Sequence, residues 1–192
     1  MRLVLLPLVL SVGIACGPRG ASSPAEARAH LAAAVASHDS AKLWNALDQD
    51  TRWSWMTVQR AWREAYDITQ SSVPEGPERV RLLARFEPAA TSEDAQTLFS
   101  KMLLAEEWRQ AAALLAAADG NQPEPSTSGE SSQIATPQGP LVFKKAHNRH
   151  WGWGYSGLAV RAEQLKQTAI ADLERMRANA ADYERAATRG AR

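Results

Sequence analysis

Two histidines and a run of aromatic residues stand together late in the chain. His147-Asn148-Arg149-His150 leads directly into Trp151-Gly152-Trp153-Gly154-Tyr155-Ser156. Three kinds of chemistry could use this stretch. The imidazoles of His147 and His150 could coordinate a metal ion. The rings of Trp151, Trp153 and Tyr155 could form a shelf for a flat ligand. The same rings could simply fill the inside of a small sheet. The metal reading fails on the sequence: the two histidines fall on a turn, no carboxylate accompanies them, and nothing fixes a third ligand. No metal or cofactor is assigned.

The choice between shelf and core depends on the strands that carry the rings. From residue 131 the apolar period is two, which predicts three short antiparallel strands at 131–136, 140–146 and 150–157. A three-residue loop at His147-Asn148-Arg149 places Trp153 opposite Phe143 and Tyr155 opposite Leu141. A Gln138-Gly139 turn places Ile134 opposite Phe143. One face then collects Ile134, Leu141, Phe143, Trp151, Trp153 and Tyr155. The other carries Lys144, His150, Gly152 and Gly154. A buried face selects the register that gathers the apolar set, and three strands are unstable unless something covers that face. The aromatics are therefore expected mainly as sheet core, with the far rim of the face able to line a pocket. Lys144, Lys145 and Arg149 could reach lipid headgroups, although lysines on small edge strands also serve to discourage aggregation.

Helices must supply the cover. Ser23-Pro24-Ala25-Glu26 has the cap, proline and acid of a helix start. Asp39 starts a second helix with Leu43, Trp44 and Leu47. Asp50 or Thr51 starts a third, in which Trp55, Val58, Trp62 and Ala65 share one stripe. Trp55 and Trp62 are thus candidates for core or pocket wall. Residues 78–87 fit either period and are read as a helix ended by Glu87-Pro88. One further helix is expected from Thr91 or Ser92 through Leu98, Met102, Trp108 and Leu115 to Gly120. Residues 120–130 lack large apolar side chains and read as an exposed mobile loop. A long helix returns over about 158–189. Its first half is the more apolar. Its second half is Ala-rich, with solvated Asp172–Arg175, Glu174–Arg177 and Asp182–Arg185 pairs, and is expected to lie loosely with Met176 and Tyr183 as anchors. The fold class is α+β, mostly helical, in a single domain over residues 23–192.

The N-terminus reads as an address. Arg2 precedes the apolar run Leu3–Leu10, and Ile14-Ala15 leads to Cys16, the one cysteine of 192 residues. The run is too short to span a bilayer. A lone thiol followed by Gly17-Pro18 has no disulfide partner and no packing role. The pattern resembles a bacterial lipoprotein signal, which implies removal of residues 1–15, acylation of Cys16, and a tether over residues 16–22. Gly17, in place of Asp, favours the outer membrane by the enteric sorting rule. The formal charge of +1 falls to zero once Arg2 is removed, so no global field draws the chain to nucleic acid.

Two stretches carry a second resemblance. "LAAAVASHDSAKLWNALDQDTRWSW" resembles the opening helices of cone-shaped α+β domains of the nuclear-transport-factor-two-like kind, which include polyketide cyclases and ketosteroid isomerases. "IATPQGPLVFKKAHNRHWGWGYSGL" resembles their late hairpin. The resemblance implies a sheet wrapped around a pocket. No Asp–His pair falls on the apolar face here, and Tyr66, Asp67, Glu106 and Glu107 suit surface or capping roles. No nucleophile elbow, zincin helix, phosphate loop or dinucleotide glycine pattern occurs. The sequence therefore points to a lipid-anchored binding or assembly module of the cell envelope, with no reaction assigned. The alternatives are a scaffold that docks or dimerises through the last helix and, third, a cyclase-type pocket.

Overall fold

The structure is a computed structural model, described here for residues 20–121, 126–154 and 156–190. The signal segment, Cys16 and Tyr155 lie outside the described residues. Among those described, no helix is long and apolar enough to cross a membrane.

The chain is mostly helical, with a small antiparallel sheet. Helix α1 (Pro24–Ser37) is capped by Ser23, whose side chain accepts from the Glu26 N–H. The Glu26 carboxylate reaches one residue beyond a capping box, to the N–H and hydroxyl of Ser22. Helix α1 ends at His38, in the left-handed conformation. Asp39 then caps α2 (Ser40–Ala46), as expected. Helix α3 (Gln49–Ser72) begins earlier than the sequence suggested, because Asp48 and not Asp50 accepts from the Thr51 N–H. Its stripe of Trp55, Val58, Trp62 and Ala65 is buried. Helix α4 (Pro77–Ala90) runs two residues beyond Pro88, so Glu87-Pro88 does not end it.

The single helix expected over 92–120 is two. Helix α5 (Ala95–Met102) stops and α6 (Ala105–Asn121) restarts after Leu103 and Leu104. No proline or glycine marks the break. It is held from outside. Arg161 donates to the Met102 carbonyl at 2.8 Å and grips both Glu107 carboxylate oxygens at 2.7 and 2.8 Å. Glu107 in turn accepts from the Leu104 N–H at 2.8 Å. Of the surface and capping roles expected for Glu107, it takes the capping one at the start of α6, and it is buried. This bidentate pair fixes the corner with charge-assisted bonds.

The sheet has four strands, not three: β1 (Ser126–Ser128), β2 (Ser131–Ile134), β3 (Leu141–Lys145) and β4 (Trp151–Trp153), in meander order. Strand β1 falls inside the stretch expected as a loop. Gly129, at φ +57°, turns it back onto β2. Its residues are exposed, as anticipated, although they are paired. Phe143 faces Trp153 as the register argument required. Ile134 faces Leu141 rather than Phe143, a shift of two residues that leaves it on the same face. Strand β4 ends at Trp153, and α7 (Ser156–Gly190) begins before Leu158. A meander of strands three to five residues long is not the enclosing sheet that the cone-domain resemblance implies, and the described elements between α3 and β1 are all helices.

Helix α7 lies parallel to α3. Ser54 meets Glu163, Trp62 meets Asp172, and Thr69 meets Met176, so the two chains advance together. At 1.5 Å per residue the 24 residues of α3 cover about 36 Å and the 35 of α7 about 52 Å. The last turns of α7 therefore outrun their partner. Met176 is buried, Tyr183 is half-buried, and most of the later residues described are exposed. Two of the expected helix-surface pairs are replaced. Asp172 is buried and bound to Arg85 of α4, and Arg177 reaches Glu64 of α3. Only Asp182–Arg185 forms as written. Ending the chain at Ala181 is expected to change stability by about 1 kcal/mol or less. A thermal melt checks this, and a much larger loss would show that the terminal turns belong to the core.

Two helix caps make the fold acid-sensitive. The backbone N–H of Lys42 holds the Asp39 carboxyl below its usual range, and the backbone N–H of Thr97 does the same for Asp94. A carboxyl depressed in the folded state contributes stability above its unfolded value and loses it as pH falls through the folded one. The melting temperature should therefore drop below the ordinary aspartate value of 3.8. Asp94→Asn, which keeps a capping oxygen without a titrating group, should flatten that part of the profile.

Candidate functional site: a cationic cleft beside the N-terminus

Strand β4 has both edges occupied. β3 pairs along one. On the other, the Trp151 N–H donates to the Ala21 carbonyl at 2.8 Å, and the Asp48 N–H donates to the Trp153 carbonyl at 3.0 Å. The link between α2 and α3 thus crosses directly over Gly152. A Cβ at residue 152 would lie 2.4 Å from the Leu47 carbonyl oxygen and 2.6 Å from Asp48 Cα. The glycine face of the Trp-Gly-Trp alternation is where the backbone passes. Asp48 serves this joint twice more. One carboxylate oxygen caps α3 through the Thr51 N–H at 2.9 Å, and the other faces Lys144 Nζ at 3.5 Å.

The β3–β4 turn is built by local chemistry. The Arg149 N–H donates to Ala146, and the Ala146 N–H donates to His150. Arg149 takes a left-handed φ of +65°, which closes a three-residue loop of the usual kind. Asn148 steadies it by accepting from the His150 N–H at 3.2 Å.

Between this turn, α1, α2 and the first turn of α3 lies a cleft of about 700 Å³. Helix α1 contributes His30 and Ala33, α2 contributes Lys42 and Asn45, and the α3 start contributes Gln49 and Arg52. Asn148, His150, Trp151 and Gly152 form the opposite wall, and Gly20 lines the cleft beside His150. Gly20 is packed on the His150 ring, which a Cβ would meet at 2.6 Å. The segment expected to be a free tether through Ser22 is therefore fixed from Ala21 onward, because Ala21 is 2 % exposed and paired to β4.

No carboxylate lines this cleft among the described residues. Arg52 supplies positive charge, as does Lys42, whose ammonium also lies 3.6 Å from the Asp39 carboxylate outside the lining, and three amides supply donors and acceptors. Burial pushes the Arg52 guanidinium below the usual arginine value, while the nearby Asp48 charge opposes the shift. Arg52 Nε is buried and has no hydrogen-bond partner. Behind the wall, Glu26 is held below the usual carboxyl range, chiefly by the Ser22 hydroxyl and N–H and less by His30 and His150. The arrangement suits a ligand with an anionic or strongly polar group and a flat part that can lie on Trp151.

Most of the aromatics singled out in the sequence lie elsewhere. Trp55, Trp62, Phe143 and Trp153 are core. Among the described ones only Trp151, half-buried, lines the cleft, and Tyr155 lies outside the described residues. His150 is in the cleft wall and His147 borders a smaller recess with Lys144 and Lys145. Among the described residues no group of three or more His, Cys, Asp or Glu could hold a metal ion. Sequence reasoning missed His30, Lys42, Asn45, Gln49 and Arg52. The available signal was Gly152, since a glycine inside a strand marks a close backbone approach. That approach is what brings the α2–α3 joint to the hairpin. Comparison with protein families, with curated proteins and with solved structures finds no match for this chain.

Proposed function

We propose that the protein is a lipid-anchored binding module of the bacterial cell envelope, held through Cys16, whose cleft takes a small ligand bearing an anionic group. The single observation that carries the binding role is the acid-free cleft with Arg52 and Lys42 on its walls and an unsatisfied Arg52 donor. The anchor rests on Ile14-Ala15-Cys16 after a short apolar run. A scaffold acting through α7 draws less support, because its exposed large apolar residues, Val160 and Ile170, are ten positions apart and form no continuous seam.

The anchor is tested by Cys16→Ser. The variant should leave the membrane fraction, and retention after a carbonate wash would remove the anchor. The cleft is tested by melting the protein with inorganic phosphate, glycerol phosphate and citrate at 10 mM. A ligand bound with a Kd of about 1 mM should raise the melting temperature by roughly 3–6 °C. The Lys42→Gln, Arg52→Gln double variant should lose that rise. A rise that survives in the variant, or none with any of the anions, would overturn the ligand class.

A further inference from the structure

Resting on the reading that Cys16 is acylated, we propose that the face bearing the cleft lies against the phospholipid headgroup layer, with Trp53 and Met56 entering it. The first argument is reach. Ala21 is buried and paired to Trp151, and Ser22 is tied to Glu26 through both its N–H and its hydroxyl. The fixed chain thus starts at the cleft edge. Gly17, Pro18 and Arg19 alone separate Cys16 from Gly20. Four residue steps span at most about 14 Å. An acylated Cys16 sits at the level of the headgroups, so the cleft edge cannot stand farther than that from them.

The second argument is what the edge carries. Trp53 is 51 % exposed and Met56 46 %, and they are three positions apart on α3, hence on one face. With Trp44 they line a groove that shares Gln49, Arg52 and Asn148 with the main cleft. The groove is therefore continuous with the cleft that Gly20 also lines. An exposed tryptophan beside polar groups suits the boundary between headgroups and acyl chains. Charge plays the smaller part. Lys144 and Lys145 border Trp53, but so do the exposed Asp50 and Glu130. Binding of this face is local insertion brought about by the short tether, and not electrostatic capture from solution.

The test uses the full-length protein purified from membranes and reconstituted into vesicles of phosphatidylethanolamine and phosphatidylglycerol doped with dibrominated phosphatidylcholine. Trp53 is the one exposed tryptophan among the described residues, so it should dominate contact with bromine. Tryptophan emission should be quenched, and Trp53→Phe should reduce the quenched fraction at least twofold. Met56→Glu should reduce it as well while leaving the melting temperature unchanged. Mass spectrometry of the same sample reports the acyl chains on Cys16. Acylated protein with no quenching, or with quenching unchanged in Trp53→Phe, overturns the docking and leaves the anchor standing, and would open that face to a protein partner. Protein without acyl chains removes the anchor and this proposal together.

Discussion

Gly152→Ala is expected to lower the melting temperature by roughly 6–12 °C, corresponding to about 3 kcal/mol in a chain of this size. The reason is geometric. The added Cβ would meet backbone atoms, the Leu47 carbonyl oxygen at 2.4 Å and the Asp48 nitrogen at 2.7 Å. Backbone cannot swing away as a lysine end can. Relief requires separating β4 from the α2–α3 joint, which breaks the Asp48–Trp153 hydrogen bond and moves Asp48 off its capping position. Gly154→Ala is the comparison. There the neighbours are side-chain atoms, the Asp48 carboxylate at 2.9 Å and the Lys144 stem at 3.2 Å; the lysine can give way and the carboxylate oxygen that faces it must turn slightly, so about 1–2 kcal/mol is expected. Equal losses in the two variants, measured by circular dichroism melts, would show that crowding at residue 152 is relieved elsewhere. The Gly152 variant should also lose any anion-dependent rise in melting temperature, since Gln49 and Arg52 follow the displaced joint.

The elements were legible where periodicity and caps act locally. Asp39, Ser23 and the stripe of Trp55, Val58, Trp62 and Ala65 state their roles in the sequence, and so does the apolar face that pairs Phe143 with Trp153. What could not be read is whatever depends on a distant partner. The break between α5 and α6 is imposed by Arg161, which is 54 positions from Glu107. Asp172 looked like one end of a solvated helix pair with Arg175, yet it is drawn inward by Trp62 and Arg85. Pro88 forfeits the bond its N–H would have made to the Ala84 carbonyl, and the last turn stays helical with Phe86 and Ala89 buried on either side of it. The cleft shares this cause. Its cations sit on α2 and α3, its indole on β4, and only the crossing over Gly152 joins them.

Trp62→Ala should cost about 3–5 kcal/mol, the range for deleting a large buried aromatic side chain. Trp62 is 6 % exposed on the stripe where α3 packs along α7. Its indole N–H donates to Asp172 at 3.2 Å, and Asp172 also binds Arg85 at 2.7 Å. One ring therefore closes the contact of three helices, and two effects could account for its weight. The first is the cavity. The second is the polar network. Arg85 is 45 % exposed, so water can replace much of what its ion pair supplies, and that pair is worth about 1 kcal/mol or less. Asp172→Asn keeps an acceptor for the indole and should cost little more than that. Trp62→Phe keeps most of the volume and leaves Asp172 to Arg85, so about 1–2 kcal/mol is expected. Packing should thus outweigh the network by a factor of two or more. If Asp172→Asn proves as damaging as Trp62→Ala in denaturant unfolding, the order is reversed, and α7 is held to α3 by a buried carboxylate and not by the ring that covers it.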